Sequence, residues 1–185
     1  MENVNEQYAL GWLPELPDIQ DYSDEHELIK GFLTQINAAD YTKPSIPATK
    51  DLRKWCSPIE NQGSLGSCTA QAGIALFEYY QRKAFGKHTD ASRLFLYKVT
   101  RNILGLSGDT GAYIRTTMGA MRLFGAPPEK YWPYTVRKHA GTSGERTFDE
   151  EPSAFCYQFA DNFKALSYFK YDIPGVTLPN VLKKI

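Results

Sequence analysis

Hydrophobic and polar positions change rhythm several times along the chain. In residues 1 to 46 one short apolar stripe stands out: Leu28, Ile29, Phe32, Leu33 and Ile36 recur at three- and four-residue steps. Asp24, with Glu27 three residues on, gives the spacing of a capping box, so a helix is expected there. Before it, Gly11-Trp12-Leu13-Pro14-Glu15-Leu16-Pro17-Asp18 carries two prolines, which fix φ and remove backbone donors. That stretch reads as extended chain lying on something else. A lone amphipathic helix flanked by extended chain must dock on the main domain or on a partner to bury its stripe. Pro44 and Pro47 mark a linker.

From about Ile46 the apolar pattern is denser. Leu52, Trp55 and Ile59 read as core anchors, followed by a glycine-rich turn and then Cys68. After Cys68 only Gly73 interrupts a long helical pattern before Gly86, and Cys68, Ala72, Ala75, Leu76, Tyr79 and Lys83 fall on one face. A buried helix starting near Cys68 is expected. A second helix is expected over 92 to 103, capped by Ser92, with Leu94, Phe95, Tyr97 and Val99 apolar. A third is expected from Asp109 or Thr110 to Phe124, with Ile114, Met118 and Met121 inward and Gly125 as its C′ stop. Residues 138 to 151 are polar and read as a surface loop. Phe163, Ala165, Ser167, Phe169 and Tyr171 then alternate with polar positions, the period of a strand. Leu178, Val181, Leu182 and Ile185 begin another amphipathic helix.

The composition suits a globular fold: 42% of the 185 residues are apolar and 14% aromatic. At this size roughly 70% of the unfolded surface can be buried, so no disulfide framework or structural metal is required. Lys+Arg and Asp+Glu both number 21, which leaves no global charge to drive nucleic-acid binding by counterion release. No apolar run is long enough for a membrane span. The opening residues are acidic and polar where a signal peptide is basic and then apolar, so the chain reads as leaderless and cytoplasmic. Three cysteines, Cys56, Cys68 and Cys156, imply at least one free thiol. No His/Cys/Asp cluster has metal-ligand spacing, and no cofactor is expected.

The chemistry concentrates in Asn61-Gln62-Gly63-Ser64-Leu65-Gly66-Ser67-Cys68. A thiol becomes a good nucleophile when ionised, and a helix N-terminus favours the thiolate through its N–H groups and macrodipole. Cys68 is placed for this. The two glycines admit a close backbone approach. Gln62, across a tight turn, can aim its amide at the oxygen of a carbonyl attacked by Cys68. With the Cys68 N–H it would form an oxyanion hole, worth about 3 kcal/mol per donor.

Gln62-Gly63-x-x-Gly66-Ser67-Cys68 resembles the active-site motif of the papain-like (C1) cysteine peptidases. Pro47-x-x-x-Asp51-Leu52-Arg53 resembles the start of the mature enzyme in that family. Asp109-Thr110-Gly111, then Gly125 and Tyr131-Trp132-Pro133-Tyr134, resemble its glycine loop, the end of its second helix and its Tyr-Pro-Tyr segment. The resemblance spans roughly residues 47 to 172 and implies an α+β fold in three parts. Residues 1–46 would be an N-terminal extension or pro-segment laid over the cleft, as in a zymogen. Residues 47–160 would be the mostly helical left domain with the nucleophile, and 161–185 the first strand or strands of a β-rich right domain. Cys68 would be the nucleophile and Gln62 the oxyanion donor, while Gly66, Ser67, Thr110 and Gly111 would bind the substrate backbone. The substrate would be a peptide or protein.

Two positions depart from the pattern. Leu65 stands where most members have a cysteine, so the usual neighbouring disulfide cannot form and Cys56 and Cys156 are free or paired otherwise. Thr69 replaces the tryptophan that usually follows the nucleophile. A thiolate–imidazolium pair also needs a histidine oriented by Asn or Asp. In this family those residues lie about 130 to 150 residues after the cysteine, beyond Ile185. His26, His88 and His139 do not match. The expectation is a chain that ends within the right domain and is inactive alone, its histidine and asparagine coming from a missing C-terminal half or a second chain. The alternative is a non-catalytic papain-like module that binds peptides or a partner protein.

Overall fold

The computed structural model describes residues 10–16, 18, 21–23, 25–35, 49–139, 146–165 and 168. It divides into two units, one formed by Met1–Glu15 with Arg53–Leu166, the other by Leu16–Leu52 with Ser167–Ile185. In the second unit the described element is helix α1, Glu27–Gln35, where Ile29 is buried and Leu28 exposed. The side chains of Phe32 and Leu33, and all of Asp24 and Ile36, lie outside the described residues.

The first unit is built on three helices: α2 (Cys68–Phe85), α3 (Arg93–Ile103) and α4 (Ile114–Leu123). Each packs on the other two. Helix α3 is the hub, with every residue from Arg93 to Arg101 buried, the pattern of a core helix rather than a surface one. Leu94, Phe95, Tyr97 and Val99 enter the core as expected. The Ser92 hydroxyl accepts the Phe95 N–H and forms the expected cap. Helix α4 ends at Gly125, whose N–H bonds the Met121 carbonyl with φ at 74°, the left-handed geometry of a C′ glycine.

Several expectations are corrected. The buried face of α2 is Thr69, Ala70, Gly73, Ile74 and Glu78, while Ala72, Ala75 and Leu76 are exposed. The core chooses small and polar residues here because the helices approach closely. A Cβ on Gly73 would sit 3.3 Å from both Leu96 and Thr117, and Glu78 accepts the buried Ala91 N–H. Helix α4 begins at Ile114, after Gly111, whose φ of 77° cannot belong to a right-handed helix. Its inward side chains are Thr117, Ala120 and Met121, with Ile114 exposed.

Leu52 and Ile59 are exposed and Trp55 half-buried, flanking a 3₁₀ turn at Arg53–Trp55 that runs over the surface. The polar stretch before 151 is more than a surface loop, since Phe148 is buried in the core and Asp149 pairs with Arg101. A short helix absent from the pattern reading, α5 (Ala154–Ala160), is capped by Ser153. Phe163 closes a 3₁₀ turn (Asp161–Phe163) instead of opening a strand. Ser167, Phe169, Tyr171 and the helix expected from Leu178 lie outside the described residues. Bridges among the described residues are isolated, Trp12 with Ala112 in parallel and Ala91 with Pro128 antiparallel.

Candidate functional site

Cys68 is the first residue of α2 and its thiol is free and half-buried. A helix N-terminus carries N–H groups with no intrahelical acceptor. Ser67, the residue type that commonly caps them, makes no side-chain cap here. Its hydroxyl turns instead to Tyr134. Tyr134 donates its own O–H to the Gln62 carbonyl at 2.9 Å and accepts that of Ser67 at 2.6 Å. Burial pushes the Tyr134 phenol above its ordinary range, which keeps it a donor.

The turn before Cys68 closes largely on itself. The Leu65 N–H bonds the Gln62 carbonyl, and Gln62 Nε2 donates to the Leu65 carbonyl at 2.9 Å. An amide NH₂ carries two donors, and an oxyanion role asks for one of them. Gly63 turns the chain with its N–H on Asn61 Oδ1. Leu65 is fully buried and fills the core.

A second glycine stretch from a distant part of the chain meets this turn. The Gly66 N–H donates to Asp109 Oδ1 at 2.8 Å, and the Tyr97 hydroxyl donates to the same oxygen at 2.7 Å. The Gly111 N–H in turn donates to the Tyr97 oxygen at 3.1 Å. Thr110 is exposed, and its hydroxyl bonds the Gly111 carbonyl at 3.2 Å.

Residues 10–15 run across both stretches. The Ala112 N–H donates to the Gly11 carbonyl at 2.8 Å and the Leu13 N–H to the Ala112 carbonyl at 3.0 Å, a parallel pairing. A Cβ on Gly11 would lie 1.7 Å from the Gly66 oxygen, and one on Gly111 2.3 Å from the Gly11 oxygen. Three glycines therefore allow backbone to lie on backbone. The Glu15 carboxylate accepts the Arg115 N–H and ends the contact.

The structure thus brings Gln62, Gly66, Ser67 and Cys68 into one turn, with Gly111 beside Gly66 and Thr110 on the outer side. Sequence reasoning passed over Tyr97 and the bonding role of Asp109 and Tyr134. One signal was available: Tyr97 and Arg101 stand four residues apart in a helix that also carries Leu94, Phe95, Leu96 and Val99, and polar groups buried among these demand partners. Of the histidines, His88 folds back to lie 3.9 Å from Glu78, a pairing roughly 15 Å along α2 from Cys68. His139 is exposed. The pairing question left by Leu65 is answered, for neither Cys56 nor Cys156 forms a disulfide. Among the described residues no group of three or more His, Cys, Asp or Glu is placed to hold a metal, and no helix is long and apolar enough to cross a membrane.

No family model matches the chain. An uncharacterized peptidase C1-like protein of Acanthamoeba polyphaga mimivirus is 29% identical over 172 residues, covering 88% of this chain and 51% of that protein. The crystal structure of xylellain, a cysteine protease from Xylella fastidiosa, superposes with a TM-score of 0.68 at 29% identity, covering 97% of this chain and 63% of that one. The chain spans about half the length of the viral relative. The helical unit described above is the helical left domain of a papain-like α+β fold.

Proposed function

The chain is a relative of the papain-like (C1) cysteine peptidases, and we propose that it is the nucleophile-bearing portion of such an enzyme. The observation that carries the reading is that a polypeptide backbone, residues 10–15, lies hydrogen-bonded along Ala112 and packed on Gly66 beside the Cys68 turn. A groove that accepts one backbone in this way suits a peptide substrate, with Gly66, Ser67, Thr110 and Gly111 forming its walls.

In the mechanism implied, the Cys68 thiolate attacks the peptide carbonyl carbon and forms the carbon–sulfur bond. The oxygen takes the negative charge, stabilised by the Gln62 amide and the Cys68 N–H at the head of α2. Collapse breaks the carbon–nitrogen bond, and the amine leaves with a proton from an imidazolium. Water then cleaves the acyl-enzyme, giving up its proton to the same imidazole. That histidine and its orienting asparagine would come from further chain or from a second chain. The stripe Ala72, Ala75 and Leu76, on the face of α2 that carries Cys68 and exposed here, is the surface such a portion would cover. Residues 10–15 would hold the groove shut in cis until displaced.

Treating the protein, assembled with its C-terminal portion, with a peptidyl epoxide tests this. Mass spectrometry should locate one adduct on Cys68 and none in Cys68→Ala, and the 185-residue chain alone should show no peptidase activity. An assembled protein that takes no label on Cys68 would overturn the reading in favour of a peptide-binding module.

A further inference from the structure

The turn that presents Cys68 has no disulfide to the rest of the fold, since Leu65 occupies the core and Cys56, Cys68 and Cys156 form none. It must nevertheless be held, because attack on a carbonyl depends on sub-ångström placement of the sulfur. We infer that Asp109 is the positioning residue that holds it: one carboxylate oxygen fastens the nucleophile turn through the Gly66 N–H and, through Tyr97, the glycine loop that carries Gly111. This rests on Cys68 being the nucleophile.

Three features make this a built device and not a chance contact. The acceptor is shared: Asp109 Oδ1 receives the Gly66 N–H at 2.8 Å and the Tyr97 O–H at 2.7 Å, so the two donors are locked about one point. Tyr97 is fully buried on α3 and cannot swing away. Burial first, and the bond to the carboxylate second, push its phenol well above the ordinary range, so it remains a donor at any physiological pH. The loop bearing Asp109 is itself anchored at the preceding residue. The Gly108 N–H donates to Asp149 Oδ2 at 2.9 Å and its carbonyl accepts from Arg101, which is fully buried and bonded to Asp149 Oδ1 at 2.6 Å. The path from Gly66 through Asp109 to α3 is therefore a continuous chain of hydrogen bonds, and it joins the nucleophile turn to the glycine loop.

Residue-resolved amide exchange reads the tie directly, and labelling of Cys68 reads its consequence. Asp109→Ala should speed exchange at Gly66 at least about tenfold over the rest of α2. Asp109→Asn keeps an acceptor oxygen and should hold Gly66 within about threefold of the parent. Tyr97→Phe, which removes one oxygen from a buried ring and keeps its shape, should speed Gly111 at least about tenfold. In the assembled protein Asp109→Ala should lower the maximal rate of epoxide labelling at Cys68 about tenfold with the half-saturating concentration unchanged, and Asp109→Asn should restore it. If Asp109→Ala leaves Gly66 exchange unchanged, or speeds α2, α3 and α4 alike, Asp109 is not a positioning residue. Should Asp109→Ala fail to fold, unchanged Gly111 exchange in Tyr97→Phe overturns the inference equally. A parent protein that never takes the label refutes the nucleophile reading, while the exchange rates still decide whether Asp109 ties the two loops.

Discussion

The two loops that meet beside Cys68 are held in opposite ways. The turn 61–67 closes partly on its own atoms, with Gln62 and Leu65 bonding each other and Gly63 bonding Asn61, and is tied outward to Tyr134 and Asp109. The loop 108–112 is hung from distant side chains, Tyr97 and Arg101 on α3 and Asp149 in the polar stretch. A turn with bonds of its own keeps part of its shape unaided, whereas a suspended loop takes its shape from a buried scaffold of charge. The first loses position more than shape when an outside tie such as Asp109 is cut, and the second inherits every fault of its supports.

The largest effect should therefore come from Arg101, far from Cys68 in sequence. Its guanidinium is fully buried against Tyr97 and Phe148 and bonds both Gly108 and Asp149. Arg101→Leu leaves the Gly108 carbonyl without its side-chain donor and takes from Asp149 its fully buried partner, leaving it Lys98 and the Gly108 N–H, and removing one member of a buried pair costs about 3 to 5 kcal/mol. Since Asp149 is partly exposed, a loss near the lower figure is expected in urea unfolding. Amide exchange should rise more at Gly111 than at Leu65. Equal rises would erase the distinction between the loops.

The same asymmetry explains what the sequence disclosed. The helix start at Cys68, the Ser92 cap and the Gly125 stop are local signals whose geometry follows from neighbours in the chain, and all three stand in the structure as read. The inward face of α2 was misread because Gly73 and Thr69 look like poor core residues until α3 and α4 press on them. Phe148 and Asp149 were lost in a polar stretch because nothing near them announces a buried arginine 48 residues earlier. Burial of charge is a property of the assembled unit, and periodicity carries no trace of it.

A smaller effect is expected where residues 10–15 cross both loops. Gly11→Ala places a Cβ against the Gly66 oxygen and should lift this segment without disturbing the helices. Limited proteolysis should cut within 10–15 several-fold faster, while the melting temperature moves by no more than about 2 °C, a fraction of 1 kcal/mol for a domain of this size. If the melting temperature falls steeply, the segment is part of the core and no cover for the groove.

The smallest effect is acid behaviour, and here the two loops should differ in sign. Tyr134, which steadies the turn 61–67, has its backbone N–H on Glu129. Burial pushes the Glu129 carboxyl above the ordinary range, more than nearby Arg93 draws it down. A carboxyl raised in the fold binds its proton sooner folded than unfolded, so this region gains stability as pH falls toward about 4.5, the ordinary glutamate range. Asp149 under the loop 108–112 is the reverse. Burial raises it, but the Gly108 N–H and Arg101 outweigh that and hold it below the ordinary range. Its contribution is present above about 4, where an unfolded aspartate is ionised, and is lost as pH falls further. A denaturation series from pH 7 to 3 should show a shallow rise and then a fall. Glu129→Gln should flatten the rise alone, and Asp149→Asn, less stable throughout, should flatten the fall alone. One substitution that flattens both limbs would show Glu129 and Asp149 titrating as one network, although Glu129 pairs with Arg93 and Asp149 with Arg101.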